Sequence, residues 1–324
     1  MNQMPYILIV GHGRSGTNWL LSLLDRSSET HCRNEPNELG GEPWARLPSP
    51  WVCRPYDAAV GAQWDEAVAW SAGRVGLRDH RLPEAKTHVH GWARSLGLDR
   101  MMKGPKLRRV ASVAQPALAE AEWPAPRWWA REASLAEAKV VLKLNQVPGW
   151  ACWALAHRPA ATAVHIVRHP GGFLNSYLNR WLARHDRAEV TRLNRDRLRQ
   201  IAEVDREWAG RFGDVEAMSA EAAELWFWRY AAEMIHRTGD GRPNYHLVVY
   251  ERLAMQPFEQ TRRLYEACGL AWSATVEQAV REGASASRST AIAQAWRDRL
   301  SAEHQRMIDD VLADSPLQAL WPDA

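Results

Sequence analysis

A short apolar run followed at once by a glycine-rich loop constrains the fold of this chain more than any other feature. Residues 7–10 read ILIV, residues 11–17 read GHGRSGT (the glycine loop), and apolar residues then recur at helical spacing over 19–24. A strand, a glycine loop and a helix N-terminus in this order direct backbone N–H groups toward an anion. The pattern predicts a phosphate-like ligand close to the N-terminus and leaves its identity open.

The glycine loop fits two classes of nucleotide site. Gly11, Gly13 and Gly16 have the G-x-G-x-x-G spacing of dinucleotide-binding folds, and Glu35 lies near the position at which such folds hold a ribose. The loop also fits a P-loop, except that the lysine after the last glycine is missing and Arg14 supplies the cation. The alternatives are an NAD-type oxidoreductase and a P-loop kinase, and the missing lysine argues against the kinase.

A second segment favours a ligand with two phosphate groups. Residues 163–181 read AVHIVRHPGGFLNSYLNRW: a buried strand, Arg168 at its end, Pro170 at a helix start, and Ser176 two helical turns further on. The planar guanidinium of arginine binds phosphate oxygens in pairs. Arg168 and Ser176 are therefore predicted to form a second phosphate clamp, which a dinucleotide fold does not require.

With both segments in place, the chain resembles the PAPS-dependent sulfotransferases (PAPS is 3′-phosphoadenosine 5′-phosphosulfate). HGRSGTNWL is similar to the 5′-phosphosulfate loop of that family, IVRHPGGFLNS to its 3′-phosphate site, and the tyrosine–glutamate of LVVYER to a third family feature. The resemblance covers about 6–36 and about 139–300. It implies PAPS as co-substrate, adenosine 3′,5′-bisphosphate (PAP) as product, and no metal.

The resemblance also implies which residues bind the donor and stabilise its leaving group. Arg14 and Lys143 are expected to stabilise the negative charge that builds on the leaving phosphate oxygen. The donor is expected to contact both phosphate segments, a tyrosine and a late serine-rich segment: Gly13, Arg14, Ser15, Gly16, Thr17, Asn18, Arg168, Ser176, Tyr250, Ser287 and Arg288.

Several residues compete for the role of the general base that takes the acceptor proton. Glu35 lies 21 residues after Arg14, where the tyrosylprotein sulfotransferases, which share the RSGT loop, have their catalytic glutamate. KLNQVP at 143–148 matches the KTHLP motif of cytosolic members, with Asn145 in the slot of the catalytic histidine. A neutral Asn is not a base, so we predict Glu35. The alternatives are three histidines, His12, His88 and His90.

The predicted function is transfer of a sulfuryl group from PAPS to a hydroxyl or amine on a carbohydrate, lipid, peptide or small metabolite. A protein that binds PAPS or PAP without turnover is the alternative that Asn145 keeps open. His88 and His90 form an H-x-H pair, but no third ligand lies near them in sequence, so we predict no metal site.

Composition agrees with a single enzyme domain over residues 1–324. Lys and Arg number 41 against 38 Asp and Glu, for a net charge of +3, which gives no long-range attraction to nucleic acid or a membrane surface. The four cysteines have no C-x-x-C spacing and indicate reduced thiols, which favours a cytoplasmic location. No apolar stretch approaches the ~18 residues of a membrane span, and the N-terminal run is too short for a signal peptide.

The alternation of strands and helices predicts an α/β fold, a P-loop-like parallel sheet with helices on both faces. Expected strands lie near 6–10, 30–33, 139–144, 163–167 and 245–249. Expected helices lie near 17–25, 171–184, 196–210, 219–237, 257–267 and 302–313. Residues 40–138 are predicted to form an irregular cap on the acceptor side, whose many tryptophans either pack in the core or form an aromatic wall for the acceptor.

Overall fold

A sheet of five parallel strands forms the centre of the structure. The computed structural model describes residues 5–39, 42–54, 58–76, 90–92, 122–124, 137–286 and 295–322. The strands in these residues are β1 (Tyr6–Gly11), β2 (Thr30–Asn34), β3 (Arg74–Gly76), β4 (Glu122–Pro124), β5 (Lys139–Asn145), β6 (Thr162–Val167) and β7 (Tyr245–Val249). The order in the main sheet is β2-β5-β1-β6-β7, and β3 and β4 form a separate antiparallel ribbon.

The register of the sheet aligns the strand ends that carry the predicted motifs. Gly11 at the end of β1 pairs with Asn145 of β5 and with Ile166 of β6. Asn34 at the end of β2 pairs with Lys143. Because all five strands are parallel, the loops that follow them leave at one edge, where ligands bind in open α/β sheets. The predicted parallel α/β fold is confirmed.

Helices cover both faces of the sheet. They are α1 (Thr17–Leu24), α2 (Glu42–Ala45), α3 (Ala58–Ala72), α4 (Pro148–His157), α5 (Pro170–Arg180), α6 (Arg187–Val204), α7 (Arg206–Phe212), α8 (Ala220–Gly239), α9 (Tyr250–Met255), α10 (Pro257–Ala267), α11 (Ala274–Ala286) and α12 (Ala302–Leu312). Short 3-10 turns occupy Pro36–Leu39, Leu182–Arg184, Val215–Ala217 and Pro316–Leu320. In the described ranges, every helix is too short or too polar to cross a bilayer.

The alternation of apolar residues in β1 divides the core between the two faces. Leu8 and Val10 pack with α3, α4 and α8 on one side, whereas Ile7 and Ile9 pack with α1, α10 and α11 on the other. A strand buried on both faces is typical of a central parallel strand. This packing fixes the end of β1, and therefore the start of the glycine loop.

Two helical predictions differ from the structure. The segment predicted as one helix over 196–210 is two helices, because Asp205 leaves the helical conformation and its carboxylate accepts hydrogen bonds from the N–H groups of Glu207 and Trp208. The helix predicted over 171–184 ends at Arg180 and continues as a 3-10 turn.

Helix α4 lies where the sequence predicts no helix. Residues 148–155 are all buried, so their apolar side chains show no stripe from which a helix could be recognised. The region predicted as an irregular cap also contains helix α3 and the β3–β4 ribbon.

Some tryptophans of the middle region belong to the core. Trp44 and Trp64 are fully buried, with ring centroids 5.7 Å apart in an edge-to-face contact, and Trp150 of α4 packs against both. Trp92 is exposed. Trp128 and Trp129 lie outside the described residues. The packing role is therefore observed for Trp44 and Trp64.

Candidate active site

A cavity of about 1230 Å³ opens at the carboxyl edge of the sheet. All five strands contribute to it through the residues at or just beyond their ends. The contributing residues of these five segments are His12–Arg14 and Gly16–Trp19 after β1, Glu35 and Glu38 after β2, Asn145 and Gln146 at β5, Arg168 after β6, and Tyr250 after β7. Residues of α5, α6 and α8, together with Trp181 and Arg299, complete the wall.

The glycine loop presents the N-terminus of α1 to this cavity. Gly16, the N-cap of α1, has φ = 100°, and no side chain caps the first turn of the helix. A Cβ atom at Gly16 would lie 2.6 Å from Cδ2 of Tyr250, so only glycine fits between the loop and that ring. The uncapped N–H groups and the helix dipole make this turn a site for an anion.

The two predicted phosphate segments meet in the structure. Nε of Arg14 donates to Oγ of Ser176 at 3.2 Å, and Nη1 of Arg168 donates to the carbonyl oxygen of Arg14 at 3.1 Å. The Arg168 guanidinium also lies over the Tyr250 ring, 4.3 Å from its centroid. The pKa of Arg14 is lowered by burial and then by the charges of Arg180, Arg168 and Arg184. Arginines that repel one another in this way are stabilised by a polyanion.

Glu35 is held at one carboxylate oxygen by two neighbours on β5. Nζ of Lys143 lies 3.1 Å from Oε1 of Glu35, and Nδ2 of Asn145 donates to the same oxygen. Lys143 also donates to Oδ1 of Asn18 at 2.6 Å, which links this group to the glycine loop. Burial lowers the pKa of Lys143, although the charges of Glu35 and Glu38 oppose that effect. Glu35 itself lines the cavity.

A buried cluster behind the glycine loop joins it to the helices on the far side of the cavity. Nε2 of His12 lies 3.2 Å from Oε1 of Glu224, and Nε2 of Gln146 donates to that oxygen at 2.8 Å. The other oxygen of Glu224 is 3.3 Å from Nη1 of Arg197. Burial alone would raise the pKa of Glu224, but Arg197, His12 and Gln146 together lower it, so the carboxylate is ionised.

Comparison with known proteins identifies the family. The sequence matches the model of the sulfotransferase family over residues 5–274. The chain belongs to the sulfotransferase family. Members of this family are PAPS-dependent enzymes, so the sulfotransferase interpretation of the glycine loop replaces the kinase and oxidoreductase alternatives.

Several solved sulfotransferase structures are similar to this sulfotransferase. The sulfotransferase domain from the curacin biosynthetic pathway is 14% identical, with 96% of this chain and 98% of that chain covered and a TM-score of 0.46. The corresponding domain of the Synechococcus PCC 7002 olefin synthase is 16% identical, with 97% of each chain covered and a TM-score of 0.42. Mouse sulfotransferase SULT7A1, solved in complex with PAP, is 10% identical, with 99% and 89% covered and a TM-score of 0.40. No protein with a curated function matches the sequence.

Most of the residues predicted for the site of this sulfotransferase lie around the one cavity. The lining includes Gly13, Arg14, Gly16, Thr17, Asn18, Glu35, Arg168, Ser176 and Tyr250. Two predicted residues do not line it. Ser15 is fully buried within the loop, and Lys143 is buried behind Glu35 and Asn18.

Of the other predicted residues, three are not described by the structure and one is described away from the cavity. Ser287, Arg288 and His88 fall outside the described residues. His90 stacks on the exposed Trp92 and does not line the cavity. Of the three histidines considered as bases, His12 alone is described at the cavity wall. Within the described residues, no group of three or more His, Cys, Asp or Glu side chains is placed to hold a metal ion.

Several charged residues of the wall are not identified from the sequence, among them Arg180, Arg197 and Glu224. Arg180 lies four residues after Ser176 and therefore on the same face of α5, a spacing from which it could have been found. Arg197 and Glu224 come from α6 and α8, far apart in the chain. The sequence marks Glu224 only as a glutamate at the start of the apolar stretch ELWFW at 224–228.

Proposed function

We propose that this sulfotransferase moves a sulfuryl group from PAPS to an acceptor hydroxyl or amine, with Glu35 as the general base. The observation that carries the proposal is the anchoring of Glu35 by Lys143 and Asn145 through the same oxygen, Oε1. Among the contacts of the described residues, Oε2 is left for the acceptor. A carboxylate fixed in this way beside a polyanion site is suited to take a proton in one defined direction.

Donor binding is assigned to the two segments that meet at Arg14. The loop N–H groups and Arg14 would hold the 5′-phosphosulfate, and Arg168, Ser176 and Arg180 the 3′-phosphate. The Arg14–Ser176 and Arg168–Arg14 hydrogen bonds support this division, because they bring two cation sites within the reach of one nucleotide. Tyr250 packs on both Gly16 and Arg168 and would keep the two sites in register.

The donor supplies an activated sulfuryl group whose S–O bond to the 5′-phosphate breaks as the acceptor oxygen attacks sulfur. Glu35 takes the acceptor proton, while Arg14 and the loop N–H groups bind the negative charge that develops on the leaving oxygen. Protonation of Glu35 weakens its ion pair with Lys143. The ammonium charge of Lys143, which is hydrogen-bonded to Asn18 of the glycine loop, would then act on the leaving group through that loop.

The base assignment is tested by Glu35→Gln. We expect kcat to fall by about 10²- to 10⁴-fold, because proton transfer is lost, while the affinity for PAP in calorimetry stays unchanged. Glu38→Gln is the matched control, since it removes a second carboxylate from the same wall. Near wild-type turnover in Glu35→Gln would falsify the assignment.

The chemical class of the acceptor and the cellular location of the protein remain predictions. The acceptor is a hydroxyl or amine of a carbohydrate, lipid, peptide or small metabolite. A cytoplasmic location rests on the cysteine pattern, and all four cysteines are free thiols.

A further inference from the structure

The glycine loop has an anchor that the transfer chemistry does not explain. His12 lies between two glycines of the loop, yet its ring is buried away from solvent between Phe173 and Phe227, with ring centroids 4.6 and 5.6 Å away. A histidine that only filled a permissive loop position would not need this enclosure. Its ring instead reaches the cluster of Gln146, Arg197 and Glu224 (the Glu224 cluster).

Each ring nitrogen of His12 has a fixed partner. Nδ1 lies 3.1 Å from the carbonyl oxygen of Gly13, and Nε2 lies 3.2 Å from Glu224 and 3.1 Å from Nε2 of Gln146. Nε2 donates to the carboxylate when the ring is protonated there, and accepts from the Gln146 amide when it is not. The ring is therefore tied to the cluster in either state, directly to Glu224 or through the Gln146 amide, and Nδ1 donates to the carbonyl oxygen of Gly13 whenever it carries a proton.

Glu224 connects this anchor to the far wall of the cavity. Its second oxygen holds Arg197 of α6, whose guanidinium lies 4.3 Å from the Phe227 ring centroid and 5.3 Å from that of Trp51. The cluster also reaches β5, because the N–H group of Gln146 donates to the carbonyl oxygen of Gly11 at 3.0 Å. One buried carboxylate thus joins the glycine loop, the end of β5, and helices α6 and α8.

We propose that Glu224 is a positioning residue for the donor site: acting through His12, it holds the glycine loop in the shape that binds the 5′-phosphosulfate. This inference rests on the proposed function, because the ligand whose binding it controls is PAP or PAPS. It also makes Arg197, which lines the cavity beside Glu224, part of the same unit.

A double-mutant cycle tests this coupling through PAP affinity measured by calorimetry. His12→Ala and Glu224→Gln are each expected to weaken PAP binding by about 10-fold, within the range of site-to-site coupling in proteins. The double variant is expected to lose about 10-fold in total, as each single variant does, and not the about 100-fold of two independent effects. A purely structural role would lower thermal stability without this non-additivity in affinity.

The same helix offers a matched control. Glu221 is as buried as Glu224 (both 3% exposed) and is paired with Arg187, but it does not line the cavity. Glu221→Gln should leave PAP affinity unchanged. If Glu224→Gln fails to fold, Gln146→Ala takes its place in the cycle, because it removes a neutral member of the same cluster and is expected to show the same coupling with His12→Ala.

The outcomes separate this inference from the proposed function. Failure of the wild-type protein to bind PAP would overturn both. Wild-type binding together with additive losses in the cycle, or with unchanged affinity in either single variant, would overturn the positioning role of Glu224 alone.

Discussion

Three non-glycine residues that line the cavity have left-handed backbone conformations. The φ angles are 70° at Arg14, 51° at Glu35 and 55° at Gln146. Such conformations cost of the order of 1 kcal/mol or more each for residues with a Cβ, and they persist where surrounding contacts over-determine them. Hydrogen bonds supply those contacts here, since the N–H groups of Glu35 and Gln146 donate to the carbonyl oxygens of Lys143 and Gly11. The backbone of the candidate site is therefore strained at three positions that line the cavity.

The glycine loop gives a residue-scale prediction. Gly16→Ala is expected to lower the free energy of unfolding by about 1–3 kcal/mol, because it forces a Cβ into φ = 100° and within 2.6 Å of the Tyr250 ring. It should also weaken PAP binding by displacing Tyr250. Gly13→Ala is the control in the same loop, since its Cβ would meet no atom within 4 Å. Urea denaturation measures both, and equal effects of the two substitutions would refute the steric argument.

At the scale of elements, the sequence predicts the parts whose signal is local. Strands β1, β5, β6 and β7 contain short apolar runs, and both phosphate segments follow strands directly, so the sequence predicts that they meet at one sheet edge. Helix α4 is not predicted because it is apolar on all sides. The single helix predicted over 196–210 leaves out the first half of α6 and joins its second half to α7, because the cap at Asp205 interrupts an otherwise continuous pattern.

The residues of the candidate site also differ in whether a local sequence motif marks them. Arg14, Arg168 and Ser176 belong to motifs with fixed spacing, so they could be predicted. The contact between Asn145 and Glu35 could not be predicted. It exists because β5 lies beside β2 in the folded sheet, which brings the Asn145 amide to Oε1 of Glu35. Glu224 and Arg197 were also beyond prediction, since two helices distant in sequence bring them together only in the folded chain.

At the scale of the whole molecule, burial of histidines links stability to pH. Burial lowers the pKa of His165 to about 3, helped by the charge of His236, and burial also lowers the pKa of His169 to about 3, helped by Arg297 and Arg168. Above about pH 6.5 neither the folded nor the unfolded chain binds these protons. Between about pH 6.5 and pH 3 the unfolded chain binds them and the folded chain does not, so stability falls as the pH falls.

This linkage predicts how steeply the free energy of unfolding falls as the pH falls. Each of the two histidines should contribute up to about 1.4 kcal/mol per pH unit to the fall in the free energy of unfolding in that window. His165→Asn is expected to remove one such contribution, as measured by urea denaturation between pH 4.5 and 6.5. His185→Asn, which removes an exposed histidine, is the control. Parallel pH profiles for wild type and His165→Asn would rule out the proposed linkage.

The most direct test of the account is calorimetric titration of the wild-type chain with PAP, with ATP and NAD as competitors, repeated on Arg168→Ala. The account predicts micromolar binding of PAP that neither ATP nor NAD displaces, lost in Arg168→Ala because the 3′-phosphate clamp is gone. Arg252→Ala removes an exposed arginine that does not line the cavity, and this variant should bind PAP as the wild type does. Binding of ATP or NAD without binding of PAP would contradict the account.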